Sequence, residues 1–437
     1  MKIIITIAFF LLMWGTVFAQ KENIIPYLIE NSTNIDLTNP NFQFDQEFYA
    51  NDLFFFGFIH GAEKPQVLDL ELQKILFKNG VHNYAPEVDY SLAYFFNQYL
   101  VTGNEDFLDF ACEFYQMRVP QDASIQFKNK WKELYKLNRD LQKEQQISII
   151  GMDKEYSSEL TLTHIAFIAP KEPTGIAIID SLMFFKTLET NDLDIISGKP
   201  VYKSGKSWDY FFATEKGAFY KRFVSLYKKD SLNIMKLFGE YSGDLKHLMN
   251  QSESHNREEI IYSNFKKIGL PLIQKGEKIY ANYGYFHIQQ EKINGSKSLA
   301  KLIKDSCNIK QVSIVGMLTN SNCLKHRKYK SEGTIIIRET KFKKASYNGY
   351  RTSKTYDGDY LFEKVNGIEK LKKISKDSEC MLFKLNGEKS PLMNTMLFAD
   401  FKRGGGKWKV EEGASTTDYF QYIILIKNSK PNIPLEE

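Results

Sequence analysis

Leu53-Phe54-Phe55-Phe56-Gly57-Phe58-Ile59-His60-Gly61 is the stretch whose reading decides the fold. A short, unbroken apolar run of this kind reads as a strand buried on both faces. It stops abruptly at an imidazole and a glycine. Residues 65–78 follow with Val67, Leu68, Leu72, Ile75 and Leu76 at helical spacing, and a second strand is expected over 81–86. Strand–helix–strand units build parallel sheets, whose ligands gather beyond the carboxyl ends of the strands. His60 stands at such an end. Imidazole titrates near neutrality, so it suits proton transfer there.

Outward from this unit, amphipathic helices are expected over 91–100 and 106–117, and a charged helix over 131–145. Ile147-Ser148-Ile149-Ile150 reads as a third strand, ending in Gly151-Met152-Asp153. A helical region spans about 207–269. Strand signals return at Lys278–Tyr285, Gln311–Met317, Gly333–Arg338, Cys380–Leu385 and Phe420–Ile426. This alternation predicts an α/β fold: a mostly parallel central sheet flanked by helices, with helical cap insertions. The insertions fall at about 91–146 and 207–269, with a loop-rich one at about 339–375, all within a single domain over 20–437. Residues 20–50, rich in Asn and other polar residues, read as an irregular lead-in.

The bulk numbers are those of a folded globular protein: 437 residues, 43% hydrophobic and 25% charged. A net charge of +5, spread along the chain, argues against a dedicated nucleic-acid binder. Met1-Lys2, the apolar run Ile3 to Val17 and the Val17-Phe18-Ala19 site read as a secretory signal peptide over residues 1–19. Export to the periplasm or beyond is therefore expected. No cysteine follows the cleavage site, which speaks against a lipid anchor. No later stretch approaches the roughly 20 apolar residues of a membrane span. Four cysteines, Cys112, Cys307, Cys323 and Cys380, lack metal-ligand spacing. A Cys307–Cys323 bridge and isolated buried thiols both remain open.

Several familiar devices are missing. There is no Gly-x-Ser-x-Gly elbow and no His-Glu-x-x-His helix. Gly198 to Ser207 ends like a phosphate loop, but its glycines are too far apart and no strand precedes it.

Four polar residues do end or follow strand-like runs: His60, Glu87, Asp153 and His287. In one parallel sheet they would converge on one edge. Two imidazoles and two carboxylates suit water activation, one ring taking the proton while a carboxylate orients it. Each residue has a plainer reading as well. Glu87 can cap the next helix, Asp153 can start a turn, and a strand-end histidine can simply face solvent. The segment Arg257-Glu258-Glu259-Ile260-Ile261-Tyr262-Ser263-Asn264 puts Arg257, Ile261 and Asn264 on one helix face. Such a face points polar groups toward a site, unless Arg257 and Glu258 only form surface ion pairs.

These elements resemble the erythromycin esterase-like superfamily. The similarity lies in Gly57-x-x-His60-Gly61, in Glu87 before Asn97-Gln98-Tyr99-Leu100, and in Ile150-Gly151-Met152-Asp153. It continues in the Arg257 to Asn264 helix, in Gly284-Tyr285-Phe286-His287 and in the tail Ile423–Leu435. The resemblance implies an α/β core with a helical cap over a deep cleft. It implies hydrolysis of an ester or lactone in a small-molecule substrate by histidine-activated water, without metal or other cofactor. His60 would be the general base, Glu87 its acidic partner and His287 a second imidazole. Asp153, Arg257 and Asn264 would then lie on the substrate side.

One departure opens two alternatives. The superfamily carries a glutamate between the first glycine and the histidine, where this chain has Phe58 and Ile59. An imidazole without its acid has a lowered pKa and a less stable imidazolium. A binding protein that kept the fold but lost catalysis is one alternative. The other is a metal-dependent hydrolase like the Tiki-type proteins, whose first motif is similar to Gly-x-Ile-His, with two histidines and Glu87 as ligands.

Overall fold

The computed structural model describes residues 24–188, 215–252, 254–326, 329–331, 334–336, 350–354, 357–359, 364–403 and 406–435. Residues 1–19, expected to be a signal peptide, and Gly198 to Ser207 lie outside the described residues. The frame is an eight-stranded, mostly parallel sheet. Its strands are β1 (Ser32–Ile35), β2 (Leu53–Phe58), β3 (Asn83–Pro86), β4 (Ser148–Ile149), β5 (Ile279–Gly284), β6 (Gln311–Thr319), β7 (Cys380–Lys384) and β8 (Tyr422–Lys427). The helices that matter for the site are α1 (Glu63–Lys78), α2 (Tyr90–Thr102), α3 (Glu105–Arg118), α4 (Ile125–Asn138), α5 (Ser158–Phe167), α6 (Glu215–Lys229), α7 (Ser231–Phe238), α8 (Ser242–Met249) and α9 (Arg257–Lys267).

The chain divides into two compact units. The first comprises Met1–Ile75, Tyr283–Cys323 and Ser353–Pro431. Its strands run in the order β1-β7-β8-β6-β2. β2 pairs with β6 in parallel, from Leu53 opposite Gln311 to Gly57 opposite Val315, and β6 pairs with β8 in parallel. β7 is antiparallel to both β8 and β1. Every residue of β2 is buried, as its continuous apolar run requires.

The second unit comprises Leu76–Asn282, Leu324–Thr352 and Asn432–Glu437. There β5, β3 and β4 lie side by side and parallel, with Asn83 opposite Ile279, Pro86 opposite Asn282, and Asn83 opposite Ser148. Trp131 stacks on Phe96 at 3.8 Å, and Tyr84 on Tyr280 at 5.4 Å, filling the space under α2 and α4. A separate apolar cluster joins α5, α6, α7 and α8 through Leu162, Ile165, Phe223, Phe238, Leu245 and Leu248.

Three expectations change. Ser32–Ile35 is an edge strand, not part of an irregular lead-in, because it pairs with a segment about 350 residues away along the chain (Ser32 opposite Phe383). The helix expected at 131–145 runs Ile125–Asn138 instead. Ser124 caps it by accepting from Phe127 N at 3.1 Å, and the Asn138 amide binds Ile147 at its N (2.7 Å) and O (3.1 Å), which turns the chain away. α5 was not anticipated. Residues 159–166 are all buried, so no polar face marks helical periodicity there. All four cysteines are thiols, so the Cys307–Cys323 bridge is not formed.

Candidate functional site

In the first unit two histidines follow strand ends. His60 lies two residues past β2, partly exposed, with the Phe58 ring edge-on at 5.8 Å. His287 follows β5, is buried, and meets the rings of Tyr283 and Phe286 at 5.7 and 6.0 Å. Tyr285 N donates to Phe58 O at 3.1 Å, so the turn carrying His287 runs beside the end of the strand that leads to His60. That turn is well anchored. His287 N donates to Gly284 O at 3.0 Å, Ala300 N donates to His287 O at 3.0 Å, and Ser313 Oγ donates to Ile288 O at 2.8 Å. Gly57 makes the approach possible: a Cβ there would sit 2.2 Å from Ile288 Cγ1. At the position of the missing glutamate, Phe58 is buried and packs on Phe56.

In the second unit the structure brings together Glu87, Asp153, Arg257 and Asn264. Glu87 follows β3 directly, and Asp153 lies just beyond β4. Arg257, the first residue of α9, donates from Nε to Asp153 Oδ1 at 3.0 Å and from Nη2 to Asp153 Oδ2 at 2.5 Å. The same Nη2 reaches Glu87 Oε1 at 2.5 Å. Asn264, two turns along α9, donates to Met152 O at 3.0 Å and Asp153 O at 3.3 Å, fixing the backbone beneath the carboxylate. Arg257 and Asn264 therefore act on one target, as their helical spacing predicts.

A fifth member, Arg118, escaped the sequence reading. It ends α3, donates from Nη2 to Asp153 Oδ2, and lies 3.6 Å from Glu87 Oε1. Tyr156 covers it, with the guanidinium 4.4 Å above the ring. The expected helix stopped at Met117, one residue short. A basic residue in the last helical turn was the available signal.

The charges explain the arrangement. Burial by itself would raise the Asp153 carboxyl, but Arg118 and Arg257 outweigh it and hold the carboxyl below the usual range. Both guanidiniums are pushed up despite burial, chiefly by Asp153. Asp153 is fully buried, which a lone carboxylate would not tolerate. Next to this cluster, Asp89 caps α2 by accepting from Leu92 N at 2.8 Å. Burial, and then the charge of Glu155, push the Asp89 carboxyl well up.

Among the described residues, no group of three or more His, Cys, Asp or Glu is arranged to hold a metal ion. No described helix is long and apolar enough to cross a membrane.

No protein-family model matches the chain, and no curated protein matches it by sequence. Solved structures do match over nearly its whole length. A protein from Bacillus cereus superposes with a TM-score of 0.59 at 13% identity, covering 95% of this chain and 99% of its own. A succinoglycan biosynthesis protein gives 0.57 at 15% identity, covering 94% and 98%. A histidine-to-asparagine variant of the erythromycin esterase EreC, in its open conformation, gives 0.55 at 10% identity, covering 93% and 99%. The chain has the erythromycin esterase-like fold.

Proposed function

We propose that this protein is an exported hydrolase that cleaves an ester or lactone with water activated by a histidine. His60 removes a proton from water, whose oxygen attacks the carbonyl carbon. The C–O bond to the leaving alcohol then breaks, and the proton passes to the departing oxygen, leaving acid and alcohol. His287 positions water or carries charge. Within the second unit, Asp153, Arg257 and Asn264 form a polar cluster of their own.

The observation that carries the reading is the Tyr285 N to Phe58 O bond, which sets two histidine-bearing turns side by side beyond adjacent strand ends. The shared fold with an erythromycin esterase supports it. The test is turnover of a panel of esters and lactones by the purified protein. Activity is expected, and it should vanish in both His60→Ala and His287→Ala. Turnover that survives both substitutions would sink the proposal. Export is checked separately, by recovering from the extracytoplasmic fraction a mature chain whose mass begins at Gln20.

A second reading is favoured by one specific feature. Glu87 and Asp153 are both engaged by Arg118 and Arg257, while Phe58 and Ile59 occupy the place of the superfamily's glutamate. A non-catalytic binding protein follows if neither acid serves His60. Its mark would be no turnover of any ester, together with thermal stabilisation by a small neutral ligand.

A further inference from the structure

Single exposed apolar side chains are ordinary on a protein surface, but a group of them beside a charged face is not. Among the described large hydrophobic residues, the three most exposed are Phe184 at 75%, Leu232 at 72% and Met183 at 69%. All three sit on elements of the apolar cluster that joins α5, α6, α7 and α8 in the second unit. Met183 and Phe184 lie in the short helical turn Ser181–Phe185, whose Leu182 and Phe185 enter that cluster, and Leu232 lies in α7.

The helix between them is basic on its outer side. α6 buries Phe219, Phe223 and Tyr227 in the cluster and turns Ala218, Lys221, Arg222, Ser225, Lys228 and Lys229 to solvent. Those six recur every three or four residues, so they form one stripe, with four cations and no acid. Lys236, one turn beyond Leu232 on α7, is exposed too. Asp230 at the junction and Glu240 past α7 are the exposed acids of this stretch, which leaves it net positive. The apolar residues flank the stripe. Phe185 packs on Phe219 with centroids 4.5 Å apart, and the Arg222 guanidinium lies 5.5 Å above the same Phe219 ring. Met183 and Phe184 therefore border its amino-terminal half, and Leu232 stands just past its carboxyl end.

Charge and apolarity together select the partner. A basic stripe alone suits any polyanion, but phenyl and thioether groups held out in water gain nothing from one. An anionic membrane surface matches both features. The cations meet the headgroups, while phenylalanine, methionine and leucine enter the boundary with the acyl chains.

We propose that this face of the second unit docks on a membrane surface rich in anionic lipid, α6 supplying the charge and Met183, Phe184 and Leu232 inserting. The docking depends neither on the hydrolytic reading nor on a membrane-spanning segment.

The test is sedimentation with vesicles of the chain from Gln20, where export would leave it. That form lacks the apolar run Ile3 to Val17, which would bind lipid by itself. Vesicles of equal parts phosphatidylglycerol and phosphatidylcholine should bind the protein at least about 10-fold better than phosphatidylcholine alone, and about 0.5 M sodium chloride should weaken that binding. The double substitution Lys228→Glu, Lys229→Glu should cut it roughly 10- to 100-fold. Phe184→Ser should cut it about 10-fold and leave binding to heparin, a soluble polyanion, unchanged. These side chains are exposed, so both variants should keep the wild-type melting temperature. Equal binding to the two kinds of vesicle, or no binding to either, would overturn the proposal. So would undiminished binding to the anionic vesicles in either variant. Heparin binding without vesicle binding would overturn it in favour of a soluble polyanion.

Discussion

Arg257 grips Asp153 with two different nitrogens, Nε on Oδ1 at 3.0 Å and Nη2 on Oδ2 at 2.5 Å. This is the fork geometry that guanidinium offers and ammonium does not. The pairing also explains an unfavourable position. Arg257 opens α9, where the helix dipole repels a cation. The two carboxylates outweigh that repulsion, so the residue is placed for the cluster rather than for the helix.

Asp153→Asn tests how far the cluster depends on its central charge. It leaves two guanidiniums facing one carboxylate in a buried site. The expected loss is about 3–5 kcal/mol of folding stability, read from the urea midpoint. Arg257 is about a third exposed, so Arg257→Lys should cost less than Asp153→Asn. The reverse order would show that the fork, not the central acid, holds the cluster together.

Gly57→Ala tests the close approach of the His287 turn to β2. The added methyl must displace Ile288, whose Cγ1 lies 2.2 Å from the new atom. Overpacking of this kind costs about 1–3 kcal/mol. Under the proposed hydrolysis, the displaced turn should also lower turnover by more than the stability loss alone accounts for. Wild-type melting and turnover together would contradict the packing described.

Gly151→Ala should be more damaging. Here the new atom meets backbone, 2.2 Å from Asp89 O and 2.6 Å from Tyr90 Cα, so no side chain can swing aside. Asp153 and Asp89 sit on bridged backbone segments, Asp153 N donating to Val88 O at 3.0 Å, and both would shift. Soluble yield and melting temperature should fall below those of Gly57→Ala. An equal or milder effect would mean that the segment relaxes freely.

His164 predicts an acid limit. Its ring stacks on Tyr94 at 4.0 Å, and Nδ1 lies 3.3 Å from Ser91 Oγ. Burial, and then the nearby His247, lower its pKa to about 3. An unfolded histidine titrates near 6.5, so the unfolded chain binds the extra proton between those values. The stability contributed by the neutral ring is complete above about pH 6.5 and is lost as pH falls from there toward 3. The slope is about 1.4 kcal/mol per pH unit for one imidazole. Asp89 and Glu155, whose carboxyls burial pushes up, act with the opposite sign. Comparing urea midpoints of the wild type and His164→Phe from pH 4 to 7 isolates the imidazole. The variant should show the flatter acid side, and parallel curves would refute a neutral buried His164.

Much of the architecture was legible because it rests on local pattern. The run Leu53 to Phe58, the periodic apolar residues of α1 and the returning strands near 279, 311, 380 and 422 each announce their own burial. The reading failed where local pattern was absent. α5 has no polar face, and Ser32–Ile35 becomes a strand only through pairing with Cys380–Phe383. The candidate residues followed the same division. Strand-end histidines and acids stood out by position, whereas Arg118 did not.

By itself, then, the order of amino acids determined the alternation of strands and helices, and hence which polar side chains lie at strand ends, because periodicity and burial act over a few residues. Tertiary structure alone decided what those side chains touch. Asp153 meets Arg118 and Arg257 across separations of 35 and 104 residues. An ion pair forms only when two charged groups come within a few ångströms, and no local pattern encodes that distance.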